Sequence, residues 1–415
     1  MSYPVPLAYT FCVKPTVIPF PMASMAYLST LLLLLGLACS AAAAGYSALN
    51  AIALGVWRLP QRTPPDTALP PVTLLKPLCG AEPGLYEDLR SFCRQDYPDY
   101  QIVFGIRDAS DPACAIARRL AAEFPSLPIS VVVDSKLHGS NWKVSNLINM
   151  LPHALHDFLV MADSDACVEA DYLRLVTPPL SDSRIGLVTC LYRGIPTPGM
   201  WSRIGAMYIN EWYVPSVLLA WLFGYQGYVS GQTICIRRAT LRAIGGFEML
   251  ADQLADDHRL GTLVRALGLR IVLSRHVVSG KHHEPSLGSV VRHEVRWMRT
   301  LRVLQPRCFL GLFLTFSLPL AVLGLVLTAA VSGHTALVST SRLLFAVTVL
   351  LRLVVHVGHR VPVRGPLLSD LWLLPLRDVL LGWVWLQCFF TSTVTWRGND
   401  FSVDANGVMH RLSRS

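Results

Sequence analysis

The 415-residue chain is 52% hydrophobic and 15% charged, with a formal net charge of +9 and a mean hydropathy of +0.43. Ordinary soluble domains carry about 25% charged residues, so a plain soluble domain and a disordered chain are both excluded. Of the 63 charged residues, one (Lys14) lies in 1–57 and 12 lie in 308–415, which leaves 50 in 58–307. That middle is nearly balanced, with 27 basic and 23 acidic groups. This is too mild for a nucleic-acid partner, and no nucleic-acid motif accompanies it.

In chain order, 1–22 is an N-terminal extension in which Pro19 and Pro21 oppose a helix. Residues 23–57 carry no charge. A bilayer-spanning helix needs about 20 apolar residues, and a signal peptide has an apolar stretch of roughly 7–15. The segment therefore reads as a retained anchor. Arg58 and Arg62 behind it put residues 58 onward on the cytoplasmic side. A proline-rich linker, 58–71, comes next. From 72 to 307 strand and helix patterns alternate: strands at 72–75, 101–106, 129–133 and 158–161, helices at 86–93, 112–124 and 141–150. Alternation of this kind predicts a mostly parallel sheet with helices on both faces, in which ligands sit beyond the carboxyl ends of the strands.

Residues 308–395 read as a membrane region of two or three segments. One is 308–331, tolerating Pro319. A second is 343–357, interrupted by Arg352. The third, 367–394, holds Asp370, Arg377 and Asp378, so only 379–394 is expected to insert. The basic loop 359–364 and the tail 396–415, with Arg397, Arg411 and Arg414, read as cytoplasmic. Three full spans would put the tail outside, so one segment is expected to be re-entrant or interfacial. The ten cysteines show no Cys-x-x-Cys spacing and are expected to be reduced.

The chemistry-bearing groups come after the strands. Asp163-Ser164-Asp165 stands after 158–161. Two carboxylates at this spacing can share Mg²⁺ or Mn²⁺, which takes oxygen ligands together with substrate phosphates. After 101–106 come Asp108, expected to face the cleft, and Asp111, expected to cap the helix that opens at Pro112. Gly139-Ser140-Asn141-Trp142-Lys143 opens a helix, whose start favours anions. Only five lysines occur, against 31 arginines. Two of them, Lys76 and Lys143, fall in separate strand-end turns and are expected to bind a phosphate-bearing ligand. Ala255-Asp256-Asp257 offers a general base in Asp257, whose acidic neighbours raise its pKa. His293, Arg296 and Trp297 stand just before the membrane region, where they could close a site over a diphosphate and a lipid head.

Taken in this order, the motifs resemble those of GT-A glycosyltransferases with the acid set D, DxD, D and (Q/R)xxRW. More narrowly they resemble the ceramide glucosyltransferase family, including its bacterial hopanoid-biosynthesis branch. The matching residues are Leu74-Leu75-Lys76-Pro77-Leu78-Cys79-Gly80, Gln95-Asp96-Tyr97-Pro98, Asp108 to Asp111-Pro112, Gly139-x-Asn141-x-Lys143, Asp163-Ser164, Ala255-Asp256-Asp257 and Arg296-Trp297. The tail Trp396-Arg397-Gly398 fits as well, and Thr189-Cys190-Leu191-Tyr192-Arg193-Gly194 and Ile244-Gly245-Gly246-Phe247 look like the hopanoid branch.

The resemblance implies an α/β, Rossmann-like GT-A domain over 72–307 with transmembrane helices on either side. It implies inverting transfer of glucose or N-acetylglucosamine from a UDP-sugar to a hydroxyl of ceramide or a hopanoid polyol. Asp108 would hold the uridine part, Asp163 and Asp165 the divalent cation and diphosphate, and Asp257 would be the base. His293, Arg296 and Trp297 would belong to the diphosphate and acceptor site, although His293 departs from the Gln or Arg of the pattern. The implied location is a bacterial inner membrane, multi-pass, with the catalytic domain in the cytoplasm. The competing readings are a processive polysaccharide synthase and a non-catalytic membrane protein that binds nucleotide or lipid.

Overall fold

The computed structural model describes residues 22–58, 69–331, 334–360, 370–390, 393–396, 399–404 and 406–412. The N-terminal extension through residue 21, linker residues 59–68, loop residues 361–369, and Arg397 and Gly398 of the tail motif lie outside the described residues. The chain opens with α1 (Met22–Arg58), then β1 (Val72–Leu78), α2 (Leu85–Cys93), β2 (Tyr100–Ile106), α3 (Pro112–Glu123), β3 (Ile129–Val133), α4 (Trp142–Met150) and β4 (Phe158–Met161). It continues through β5 (Ala166–Cys167), α5 (Tyr172–Val176), β6 (Ile185–Pro196), α6 (Met200–Tyr208), α7 (Val214–Leu222), β7 (Ile234–Arg237), α8 (Arg238–Ala243), α9 (Asp256–Ala266) and β8 (Arg270–His282). The last elements are α10 (Leu287–Leu304), α11 (Pro306–Gly311), α12 (Ser317–Ala329), α13 (Thr335–Arg360), α14 (Leu374–Gln387), β9 (Thr393–Trp396), β10 (Asn399–Val403) and β11 (Met409–Arg411).

Eight strands form one sheet in the order β3-β2-β1-β4-β7-β6-β8-β5. Every residue of β1 and β2 is buried, as expected of inner parallel strands covered on both faces. The sheet is parallel from β3 to β4, but β7 pairs antiparallel with both β4 and β6, and β5 pairs antiparallel with β8. The longest pairing, β6 with β8, is parallel again, so the mostly parallel expectation holds except at β7 and β5. The helix-rich crossovers that enforce parallel pairing give way after β4 to an antiparallel entry by β7. The parallel strands β2, β1 and β4 end on one edge, and that edge carries Asp108 and Asp163.

The apolar ends are helical. Ala26–Arg58 and Thr335–Gly358 are long and apolar enough to cross a membrane, and Tyr27, Leu28, Leu31, Leu34, Leu35 and Ile52 leave an apolar flank of α1 exposed. Helices α1 and α12 approach closely because both are glycine at the crossing. A Cβ on Gly36 would stand 2.9 Å from the Gly324 carbonyl oxygen, and one on Gly324 would collide with Ser40. Ser40 and Ser341 hydrogen-bond at 2.8 Å beside this crossing, joining α1 to α13.

Two membrane segments take shapes that their composition did not show. The single span over 308–331 is a bent pair, Pro306–Thr315 and Ser317–Ala329, meeting at 64°. Phe316 leaves the helical region there, and Pro319 lies in the first turn of α12, where its missing N–H costs nothing. The insertion expected over 379–394 gives way to the 14-residue α14, which ends at Gln387 and spans about 21 Å at 1.5 Å per residue. That is shorter than the roughly 30 Å hydrocarbon core. Its charges face protein: Arg377 makes a bidentate pair with Glu294 at 2.6 Å, and Asp378 pairs with Arg352 at 3.0 Å.

The tail strands form a small sheet, β11-β10-β9, docked on the α/β domain. Met409 donates its N–H to the Asp252 carbonyl at 2.8 Å, and Leu254 donates to the Gly407 carbonyl at 2.9 Å. The tail thus lies on the same side of the membrane helices as the catalytic-type domain, which requires an even number of crossings between the two.

Candidate active site

The site is built from four loops at the carboxyl edge of the sheet. β4 runs directly into Asp163 and Asp165. The N–H of Asp163 donates to the Gly231 carbonyl at 3.1 Å, which ties this turn to the loop before β7. Gln232, buried beside it, donates its amide to Asp165 Oδ1 at 3.0 Å. Burial and the neighbouring Asp163 carboxylate push Asp165 up to about 6.

Lys143 comes from the start of α4. Asn141 caps that helix by accepting from Val144 N–H at 3.1 Å, and its amide donates to the Gln253 carbonyl at 2.9 Å. The cap pins the 139–141 turn against the 251–253 loop. A side chain at Gly139 would run into the Ala251 carbonyl. Lys143 Nζ then reaches Asp163 at 2.6 Å and Asp256 at 3.3 Å. Burial alone would lower its pKa, but Asp163, Asp256 and Asp257 hold the ammonium above its ordinary value. Lys143 is the internal counter-ion of the acid set.

Asp257 lies in the first turn of α9. Its Oδ1 accepts from His258 N–H at 2.7 Å and its Oδ2 from Gly231 N–H at 3.2 Å. Burial and the adjacent Asp256 raise its pKa to about 6. It is therefore ionised near neutrality yet basic enough to take a proton, which is the condition a general base needs. Gly231 stands at the centre of the cluster: a Cβ there would lie 2.7 Å from Asp163 Oδ2 and 3.0 Å from Lys143 Nζ.

Asp111 and Asp108 divide their tasks by position. Asp111 caps α3 through Ala113 N–H at 2.9 Å and also accepts from Gly80 N–H, joining the β1 and β2 turns. Asp108 is exposed at the cleft edge and accepts from the N–H and hydroxyl of Ser110, which holds its carboxyl below its usual range. Lys76 departs from the expected placement. It is fully buried beneath the acid pair, donates to the Asp163 carbonyl at 2.5 Å and lies 3.9 Å from the Phe92 ring centroid. Burial lowers its pKa to about 8. Its side chain supports the turn that carries Asp163 and is not in the cleft; the inward-facing side of a buried strand decides this.

On the other wall, Trp297 of α10 packs on the His293 ring at 4.0 Å and on Tyr208 of α6 at 5.4 Å. Arg296 is half-buried with its guanidinium 6.0 Å from the Trp297 ring centroid. His293 Nδ1 pairs with Glu284 at 2.8 Å. Arg299 and Arg302, one turn on, are committed to the carbonyls of Thr393 and Cys388 and tie α10 to the tail.

The sequence did not single out Asp256, Gln232 or Gly231 as site groups, nor Tyr208 of α6, which packs on Trp297. Asp256 had a signal in its position next to Asp257. The 229–233 loop carries no charge pattern and becomes legible only through contact with Asp163.

The two carboxylates fit a divalent cation: Asp165 is raised by burial and by the like-charged Asp163, and an ion between them would relieve the repulsion. An α/β domain with this acid pair at a strand end, a raised carboxylate nearby and apolar helices at its flank fits a membrane-bound hexosyltransferase of GT-A fold. The chain belongs to glycosyl transferase family 21, whose family description matches residues 35–409. It is 24% identical over 374 residues to ceramide glucosyltransferase 3 of Caenorhabditis elegans, covering 86% of this chain and 78% of the relative. Against ceramide glucosyltransferase 1 of the same organism, identity is 22% over 254 residues, covering 60% and 54%. Among solved structures, the mannosyltransferase PcManGT from Pyrobaculum calidifontis, in complex with GDP-Man and Mn²⁺, shares the fold with a TM-score of 0.51 and 18% identity, covering 86% of this chain and 99% of that one.

Proposed function

We propose that the protein transfers glucose or N-acetylglucosamine from a UDP-sugar to a hydroxyl of a membrane lipid, ceramide or a hopanoid polyol, with inversion. The observation that carries this reading is the convergence of Asp163, Asp165, Asp257 and Lys143 around the Gly231 loop at the carboxyl edge of the sheet. Family membership and the ceramide glucosyltransferases among its relatives support it. Asp108, at the cleft edge, accepts hydrogen bonds from the nucleoside. Asp163 and Asp165 would hold Mg²⁺ or Mn²⁺, which when bound offsets the charge of the leaving diphosphate. Lys143 adds a fixed positive charge beside it. Asp257 removes the proton of the acceptor hydroxyl as its oxygen bonds to the anomeric carbon and the bond to UDP breaks. Holding donor and acceptor together supplies proximity. Trp297, with His293 and Arg296, borders the acceptor. We assign three crossings (α1, the bent α11–α12 pair and α13) with α14 interfacial, in a bacterial inner membrane and with the catalytic domain in the cytoplasm.

The test is a transfer assay. Purified protein in detergent, given radiolabelled UDP-glucose or UDP-N-acetylglucosamine, a divalent cation and ceramide or hopanoid polyol, should yield one glycosylated lipid. No product with either donor and both acceptors would reject the reading. Long polymer in place of a monoglycosylated lipid would assign the protein to polysaccharide synthesis instead.

A further inference from the structure

We infer that His282, Glu284 and His293 form a second divalent-cation site, separate from the Asp163/Asp165 pair and suited to an imidazole-seeking ion such as Zn²⁺. One donor atom from each of the three side chains lies within 4.8 Å of the other two. His282 ends β8, Glu284 lies two residues beyond it in the loop that leads to α10, and His293 stands in the middle of α10. His282 and Glu284 are each 7% exposed.

The backbone around them is held in place. Thr197 N–H donates to the His282 carbonyl at 2.9 Å, and the Ser202 hydroxyl accepts from Glu284 N–H at 2.9 Å. Space is kept open by glycine. A Cβ at Gly194 would come within 3.0 Å of the His282 ring, and one at Gly205 within 3.2 Å of Glu284 Cγ.

A plainer account is that Glu284 and His293 form an ion pair that orients Trp297. It explains two of the three residues. It gives no role to His282, whose ring makes no hydrogen bond among the described residues although it stands within ligand distance of the other two groups. A cation bound by all three groups accounts for the placement of each. Two imidazoles and one carboxylate are the protein ligands of three-ligand zinc sites, which keep a further position open. The acid pair offers oxygen alone and favours Mg²⁺ or Mn²⁺, whereas imidazole favours Zn²⁺ and the later transition metals. The two sites are thus separable by the ion each prefers. They are also close neighbours in the fold: Gly280 of β8 lies against Gln232, the partner of Asp165.

The test uses the full-length protein in detergent, stripped with a chelator and free of nucleotide. After incubation with Zn²⁺ in excess Mg²⁺ and desalting, elemental analysis should find one zinc per chain. The Asp163→Asn/Asp165→Asn variant should retain it. His282→Ala and Glu284→Gln should each weaken zinc binding more than tenfold while eluting as the same monodisperse species. A readout independent of variants is Co²⁺ in the unmodified protein, where this ligand set should give the visible bands of a low-coordinate histidine-bound ion. Absence of bound zinc and of those bands, or zinc that is lost with the acid pair and kept in His282→Ala, overturns the inference.

Discussion

Asp257→Asn removes the proposed base while changing almost no volume. Asp257 accepts two backbone N–H groups, from His258 at 2.7 Å and Gly231 at 3.2 Å. An asparagine keeps one acceptor and turns its amide toward the other donor, so one hydrogen bond is lost, about 1 kcal/mol. Relief of the repulsion with Asp256 offsets part of that loss. The fold should therefore survive, and the damage should fall on the chemical step. A positioned base contributes roughly 10²–10⁴-fold, or about 2.7–5.4 kcal/mol of barrier at 1.36 kcal/mol per tenfold. Initial rates of labelled sugar transfer in micelles should show kcat reduced by that factor, with the donor KM unchanged within a few fold. A variant with kcat within tenfold of the unmodified protein at pH 7.5 would refute the role.

Four more outcomes are expected from separate parts of the structure. In the unmodified protein kcat/KM should fall as pH drops below about 6, because Asp257 is raised to about 6 and loses its charge there; Asp257→Asn should leave a shallower acid limb, and a profile flat from pH 8 to 5 would contradict the assignment. Gly231→Ala forces a methyl against Asp163 and Lys143, so the donor KM should rise about tenfold or more (about 1.4 kcal/mol) in a steady-state titration. Arg377→Leu strands the Glu294 carboxylate inside the protein and should cost about 3–5 kcal/mol in detergent unfolding, with Glu294→Leu/Arg377→Leu recovering most of it. Removing 405–415 deletes the bonds from Gly407 and Met409 to the loop before Asp257; kcat should drop severalfold in the transfer assay while membrane insertion, followed by fractionation, is retained.

Much of the site was readable because it obeys a strand-end rule. β4 ends at Met161 and the acid pair begins two residues later; β2 ends at Ile106 and Asp108 comes just after; Asn141 caps α4 and delivers Lys143 two residues later. Strand periodicity and capping are local properties, and they carry these side chains to the edge without reference to the rest of the chain. Lys76 was misplaced by the same rule. It lies within β1 and not beyond its end, and both faces of this inner strand are covered, so its side chain is held in the core.

The membrane region was legible as composition and misread as geometry. Hydropathy marks 308–331 as apolar throughout, but the break at Phe316 depends on how α11 and α12 pack. Charge marks Arg352, Arg377 and Asp378 as interruptions. Glu211, the partner of Arg352, and Glu294, the partner of Arg377, lie 141 and 83 residues away and are supplied by helices of the middle domain. Sequence by itself determined the apolar ends, the alternating middle and the acids that close its strands, because hydrophobic periodicity and turn chemistry act over a few residues. Only the tertiary structure decided which acid Lys143 neutralises, where Gly231 is needed, that the tail braces the loop before Asp257, and that His282 meets Glu284 and His293. Those are contacts between segments far apart in the chain, and nothing local encodes the distance between them.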